Sequence, residues 1–188
     1  MNRYANAGDG LKKMFIAQIG AIVCSVLALI PIINIIAAIG AIVFAVLSIW
    51  GLYTAGRDIE GCKTAFIVTI ISLVISVIST FTSGSAFLAV VFDIADSICA
   101  FLVIYYVCTS VGEALKESGA ADVAGKGETI WKINLVCYAA SIVISILSVI
   151  PFINIIAGIC AIVIAIVSIV AGVLYMIFLY KSYQAFGA

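Results

Sequence analysis

The sequence predicts an all-α integral membrane protein of six transmembrane helices, arranged as three repeated two-helix hairpins with both termini cytoplasmic. Three observations lead there: a composition too apolar for a water-facing surface, six apolar stretches of bilayer length, and cations confined to one set of connections. The chain has 188 residues, 66% of them hydrophobic and 10% charged, with no histidine and no net charge. Soluble domains carry about 25% charged residues. Nine basic and nine acidic side chains cannot cover a globule of this length with a mean hydropathy of +1.37. A soluble domain, a disordered chain and a nucleic-acid binder with a basic face are all excluded.

The six stretches contain 120 residues. Met14 to Ile30 follows Lys12 and Lys13 as the apolar core of a signal peptide would. The same element recurs from residue 133, which predicts a retained span instead. Ile35 to Tyr53 contains no charge. Ala65 to Thr80 has 16 residues, just under the about 17 to 25 that cross a bilayer, and must extend into its flanks. Ala86 to Thr109 is long enough but carries two aspartates, and Ile133 to Ile150 and Ile155 to Tyr180 are again free of charge. None of the six alternates apolar and polar residues, so helices are expected rather than barrel strands.

The connections set the orientation. All nine Lys and Arg residues lie in the N-terminal segment, the loops 54–64 and 110–132, or the C-terminal tail. The turns Pro31–Asn34, Phe81–Ser85 and Pro151–Asn154 carry none. Cations collect on the cytoplasmic side, so both termini and both longer loops are placed there. Tyr53, Tyr105, Tyr106, Trp131 and Tyr180 then stand at that interface as an aromatic belt. A bacterial-type cytoplasmic (inner) membrane is the expected location, reached multi-pass.

An internal repeat organises the chain. Residues 21–53 align without a gap to 141–173, with 18 identities in 33 positions, including Pro31 with Pro151, Ser25 with Ser145 and Ser48 with Ser168. Lys12, Lys63 and Lys132 start a weaker three-way match that continues through Ser25, Ser76 and Ser145. A single membrane domain over 1–188 is expected, with hairpins at about 12–60, 63–117 and 132–184. Even-span copies share one orientation, which puts a pseudo-symmetry axis along the membrane normal. At the turns, proline ends one helix, and Asn34 and Asn154 are placed to cap the next. The stripes Ala37, Ala41, Ala45 and Ala157, Ala161, Ala165 are expected to pack hairpins within the chain, or copies of it within a homo-oligomer.

Several chemistries find no support. Without histidine there is no His-based acid–base catalysis and no His-containing metal site. The six cysteines form no C-x-x-C pair, and Cys62 reads as a cytoplasmic thiol. Gly125-Lys126-Gly127 lacks the Ser or Thr of a phosphate loop. The segments outside the spans total 68 residues, too few for a catalytic domain. Neither an enzyme nor a cofactor nor a bound metal is expected.

The anomaly is Asp93 and Asp96, three apart on one helical face of the fourth span. At 1.5 Å per residue they lie about 10 and 15 Å below its uncharged end. A charge at the bilayer centre costs about 2.5 to 3.5 kcal/mol on insertion scales. No basic residue within a span offsets it. Each carboxyl must therefore be protonated, face water or hold a cation. Folding the hairpin at Ser83 sets Ser72 and Thr69 at the depth of Asp93 and Asp96, within a stripe of Thr69, Ser72, Ser76 and Ser79. A cation or proton channel or transporter is the preferred reading, with Asp93, Asp96, Thr69, Ser72 and Ser76 as its pathway. The alternative is a non-transport scaffold or assembly subunit whose aspartates dock a basic residue in a partner's span. The expected surroundings are the lipid bilayer, with a second copy or a partner membrane protein.

Overall fold

The structure, a computed structural model, describes residues 3–28, 30–31, 33–81, 86–147 and 154–187, without the side chains of 86, 87 and 154–157. Six helices make it up: α1 (Ala5–Leu27), α2 (Asn34–Ala55), α3 (Glu60–Phe81), α4 (Ala86–Glu117), α5 (Ala121–Leu147) and α6 (Asn154–Ala185). All six are long and apolar enough to cross a membrane.

The helices overrun the apolar stretches at the charged end. The third, counted short from its apolar residues, reaches 22 residues by starting at Glu60. The segments 54–64 and 110–132, expected as loops, are mostly helical. A helix satisfies its own backbone groups and needs no apolar environment to continue. Polar helix formers with i,i+4 pairs such as Glu128 and Lys132, 2.7 Å apart, support the extension. Only residues 118–120 join α4 to α5. There Gly119 adopts φ +88°, Ala120 N–H donates to the Leu115 carbonyl and Gly119 N–H to that of Lys116. This is a Schellman ending, which glycine enters without steric cost.

Consecutive helices pack on one another, and α6 returns to α1, closing a six-helix ring. The helices α1 and α2 approach closely through glycines. A methyl group on Gly10 would lie 2.5 Å from the Gly51 carbonyl oxygen, and one on Gly51 2.7 Å from that of Gly10. Glycines, not the alanine stripes, make this contact. Ala41, Ala45, Ala161 and Ala165 are exposed, Ala37 alone of the described stripe residues is buried, and the side chain of Ala157 lies outside the described residues. Helix rotation about its axis decides which small stripe faces a neighbour, and here the glycine face won.

The apolar core lies at the charged end. Leu11, Leu52, Val107, Val111, Leu115, Phe178 and Leu179 are fully or almost fully buried there. Cys62, read from the sequence as lying in a loop, stands in the first turns of α3 and is buried among them. Polar contacts tie the same end together: Tyr4 Oη donates to Glu117 over 2.5 Å, and Asn6 Nδ2 and Ala7 N–H donate to Asp58, each over 2.9 Å. The belt aromatics pack with one another, Tyr105 on Trp131 at 5.3 Å and Tyr180 on Phe15 at 5.4 Å between centroids.

At the first uncharged turn the capping expectation needs correction. The cap position of α2 is Ile33, with no side-chain cap hydrogen bond, and Asn34 is already the first helical residue. The Ile33 N–H donates to the Ile30 carbonyl. This tight turn brings the chain into the helix one residue early, so the position from which a side chain caps the free N–H groups falls to Ile33, which carries no acceptor. Residues 82–85 and 151–153 and the side chain of Asn154 lie outside the described residues, as do the turn at Ser83 and the cap at Asn154 expected there.

Candidate functional site

Asp93 and Asp96 stand one turn apart on α4 and face α3. With Ile75, Ser76, Ser79 and Phe92 they line a cleft of about 140 Å³. Asp93 is exposed and Asp96 half-buried. The Ser72 hydroxyl donates to the Asp96 carboxylate across the helix pair. The observed register differs from the folding at Ser83. Ser72 and Asp96 are equidistant from residue 84, so Ser72 meets the deeper aspartate, while Ser76 accompanies Asp93 in the cleft. Moving the centre of a hairpin by one residue moves the residue at equal depth by two, which exchanges partners because only every third or fourth residue faces the neighbouring helix.

Thr69 does not reach the aspartates. Its hydroxyl donates to the Ala65 carbonyl of its own helix over 2.9 Å, and the residue lines a second space. That space is a cavity of about 530 Å³ inside the ring, to which all six helices contribute. Its polar wall includes Gln18 of α1, Ser48 of α2, Thr69 and Ser72 of α3, Asn134, Tyr138 and Ser141 of α5, and Ser168 of α6. Leu52 and Leu179 line it beside the apolar core. Ser72 therefore belongs to the central cavity and bonds a carboxylate of the cleft, so that one hydrogen bond joins the two spaces.

The central cavity escaped sequence reasoning, although its signals were present. Gln18 and Asn134 are the only amide side chains within the six apolar stretches, and Ser48 and Ser168 occupy aligned repeat positions. Read one span at a time, each is an isolated polar residue in a long helix. Only the ring brings them together.

Among the described residues no formal charge lines the central cavity, and two carboxylates line the cleft beside it. The combined site favours cations and hydrogen-bonding solutes over anions. Among the described residues, no three His, Cys, Asp or Glu side chains converge on a metal-binding point. The fold and site thus define a six-helix bundle of membrane-spanning length with an internal polar cavity and an acidic cleft at its side. No protein-family profile matches the chain, and neither curated proteins nor solved structures gave a match.

Proposed function

We propose that the chain is a small multi-pass transport protein of the cytoplasmic membrane, a channel or secondary transporter that passes a proton or cation along the α3–α4 face. The route runs from Asp93 and Ser76 in the cleft to Asp96, across Ser72, and into the central cavity at Thr69. The observation that carries the reading is the Ser72–Asp96 hydrogen bond, which links an intramembrane carboxylate to a polar space lined by every helix. Ionisable groups at membrane depth mark ion and proton pathways more often than packing. The reading assigns no enzymatic activity to the chain.

The proposal includes the three-hairpin repeat with cytoplasmic termini. Supporting it, Met14 and Asn134, Gln18 and Tyr138, Ser48 and Ser168, and Leu52 and Gly172 all line the cavity, each pair separated by the same 120 residues. Thr69 and Val103, the middle hairpin's counterparts of Gln18 and Leu52 when Lys63 is aligned with Lys12, line it as well. Equivalent positions of the copies would thus face a common pseudo-symmetry axis.

Proton, Na⁺ and K⁺ flux into proteoliposomes, wild type against Asp93→Asn/Asp96→Asn, tests the pathway. Wild-type flux that disappears in the variant is the expected result, and flux unaffected by it would sink the route. A second reading rests on the exposure of Asp93 on the side of the bundle: a scaffold subunit that docks a partner's intramembrane Lys or Arg there. It predicts no flux, and a partner lost on Asp93→Asn.

A further inference from the structure

One part of the central cavity's wall has an acceptor character that follows from where its protons already go. Thr69 Oγ1 donates to the Ala65 carbonyl and Ser141 Oγ to the Cys137 carbonyl, each over 2.9 Å. Asn134 Nδ2 donates to the Ile130 carbonyl, also over 2.9 Å, and Ser72 donates to Asp96. A hydroxyl has one proton and two lone pairs. Once that proton is committed to the helix, the oxygen remains an acceptor. Four polar groups of the wall therefore present oxygen to the interior, with Asn134 keeping a second N–H. A ligand that satisfies these four groups must bring donors, while Gln18, Ser48, Tyr138 and Ser168 keep protons of their own on the same wall.

Size and the remaining surface narrow the class. A volume of about 530 Å³ falls within the range of small-molecule sites, about 300 to 1,000 Å³, and far exceeds a bare metal ion. Met14, Leu52, Val103 and Ile104 supply an apolar side, and Tyr138 and Tyr175 supply aromatic rings, which attract cations. A negative charge stands beside the cavity, the Asp96 carboxylate that Ser72 bonds.

We infer that the central cavity is a binding site for a small organic cation carrying a protonated amino group, its N–H groups on the oxygens of Thr69, Ser72, Asn134 and Ser141 and its carbon skeleton against the apolar side. The inference rests on the proposed cation pathway in taking Asp96 as the compensating charge, and it names the substrate class of that pathway.

The test is calorimetric titration of the full chain in lipid nanodiscs with benzylamine and, as its neutral isostere, benzyl alcohol, with empty nanodiscs as the lipid background. Thr69→Val and Ser141→Ala each remove an acceptor oxygen with little change of shape, and Asp96→Asn removes the charge. Benzylammonium is expected to bind about tenfold or more tightly than the alcohol, since hydrogen bonds to a charged donor are the stronger ones. Each variant is expected to weaken the amine several-fold and the alcohol, with its single uncharged donor, by less. A monodisperse elution profile certifies each variant, and the conservative pair keeps the test open if Asp96→Asn does not fold. Equal affinity for amine and alcohol, or amine binding indifferent to the variants, overturns the assignment. Proton or Na⁺ flux without amine binding overturns the organic substrate and leaves the pathway standing. Amine binding that the acceptor variants weaken, without any flux, supports the site and overturns the pathway.

Discussion

The two ends of the bundle are built differently. At the charged end Leu11, Val107, Val111, Leu115 and Phe178 are sealed from solvent, and Tyr4, Asn6, Asp58 and Glu117 tie the helices together. Towards the uncharged end Ile35, Ile36, Phe81, Ile159 and Ile162 are among the most exposed residues of the chain, at 62 to 84%. The difference teaches where each solvent acts. Helices of 32, 27 and 32 residues (α4, α5 and α6) exceed the about 20 needed to span, and their surplus projects at the charged end. Leu11, Val111 and Leu115 stand in that surplus, where water drives apolar side chains together, while Val107 and Phe178 stand at the charged ends of their apolar stretches. Within hydrocarbon apolar side chains are already well solvated, and only close packing and polar contacts favour association. The polar cavity lies beside that core, sharing Leu52, Tyr175 and Leu179 with it.

Breaking the core should have the largest effect. Phe178→Ala is expected to cost about 3 to 5 kcal/mol, measured by unfolding in detergent, and Ile36→Ala at the uncharged end less than about 0.5. Equal costs would abolish the distinction between the ends. Overpacking the α1–α2 seam comes next. Gly51→Val should cost about 1 to 3 kcal/mol, because its side chain meets the backbone of α1. At Gly158, by contrast, a methyl group meets nothing within 4 Å, and Gly158→Ala should be neutral or stabilising by up to about 1 kcal/mol.

Two smaller effects sharpen the comparison. Ser72→Ala should cost only about 0.6 kcal/mol, the usual worth of a hydrogen bond between membrane helices. The same change should abolish proteoliposome flux if the route crosses this bond. A large stability loss with intact flux would make Ser72 a packing residue instead. Comparably small is Arg3→Ala. The Arg3–Glu117 pair is 3.3 Å apart with side chains 80% and 58% exposed, so about 0.2 to 1 kcal/mol is expected, fading as salt is raised.

Much of this was open to reading from the chain. Six spans follow from apolar length, and Asp93 and Asp96 announce themselves as the acids within an otherwise uncharged set of spans. Ser72 was legible as their neighbour in depth, but which aspartate it meets was not, since that turned on a single residue of register. The cap at Asn34 failed for a similar reason: a turn between Ile30 and Ile33 moved the helix start by one position. The loop segments misled because composition reports where a helix leaves the membrane and not where it stops.

What the sequence determined by itself are the properties that add up along the chain: apolar length, the placement of cations, and the presence of acids where no base can pair with them. The bilayer acts on such sums directly, so no knowledge of neighbours is needed. Tertiary structure alone decided which faces meet. It turned the glycines of α1 and α2 inward and most of the alanine stripes outward, buried Cys62, and gathered Gln18, Thr69, Asn134 and Ser168 from four helices around one cavity. The physical reason is that a helix coated on every side with Ile, Val and Ala carries almost no rotational preference of its own. Its rotation and register are settled by shape and by a few polar bonds, and those exist only once the neighbouring helices are in place.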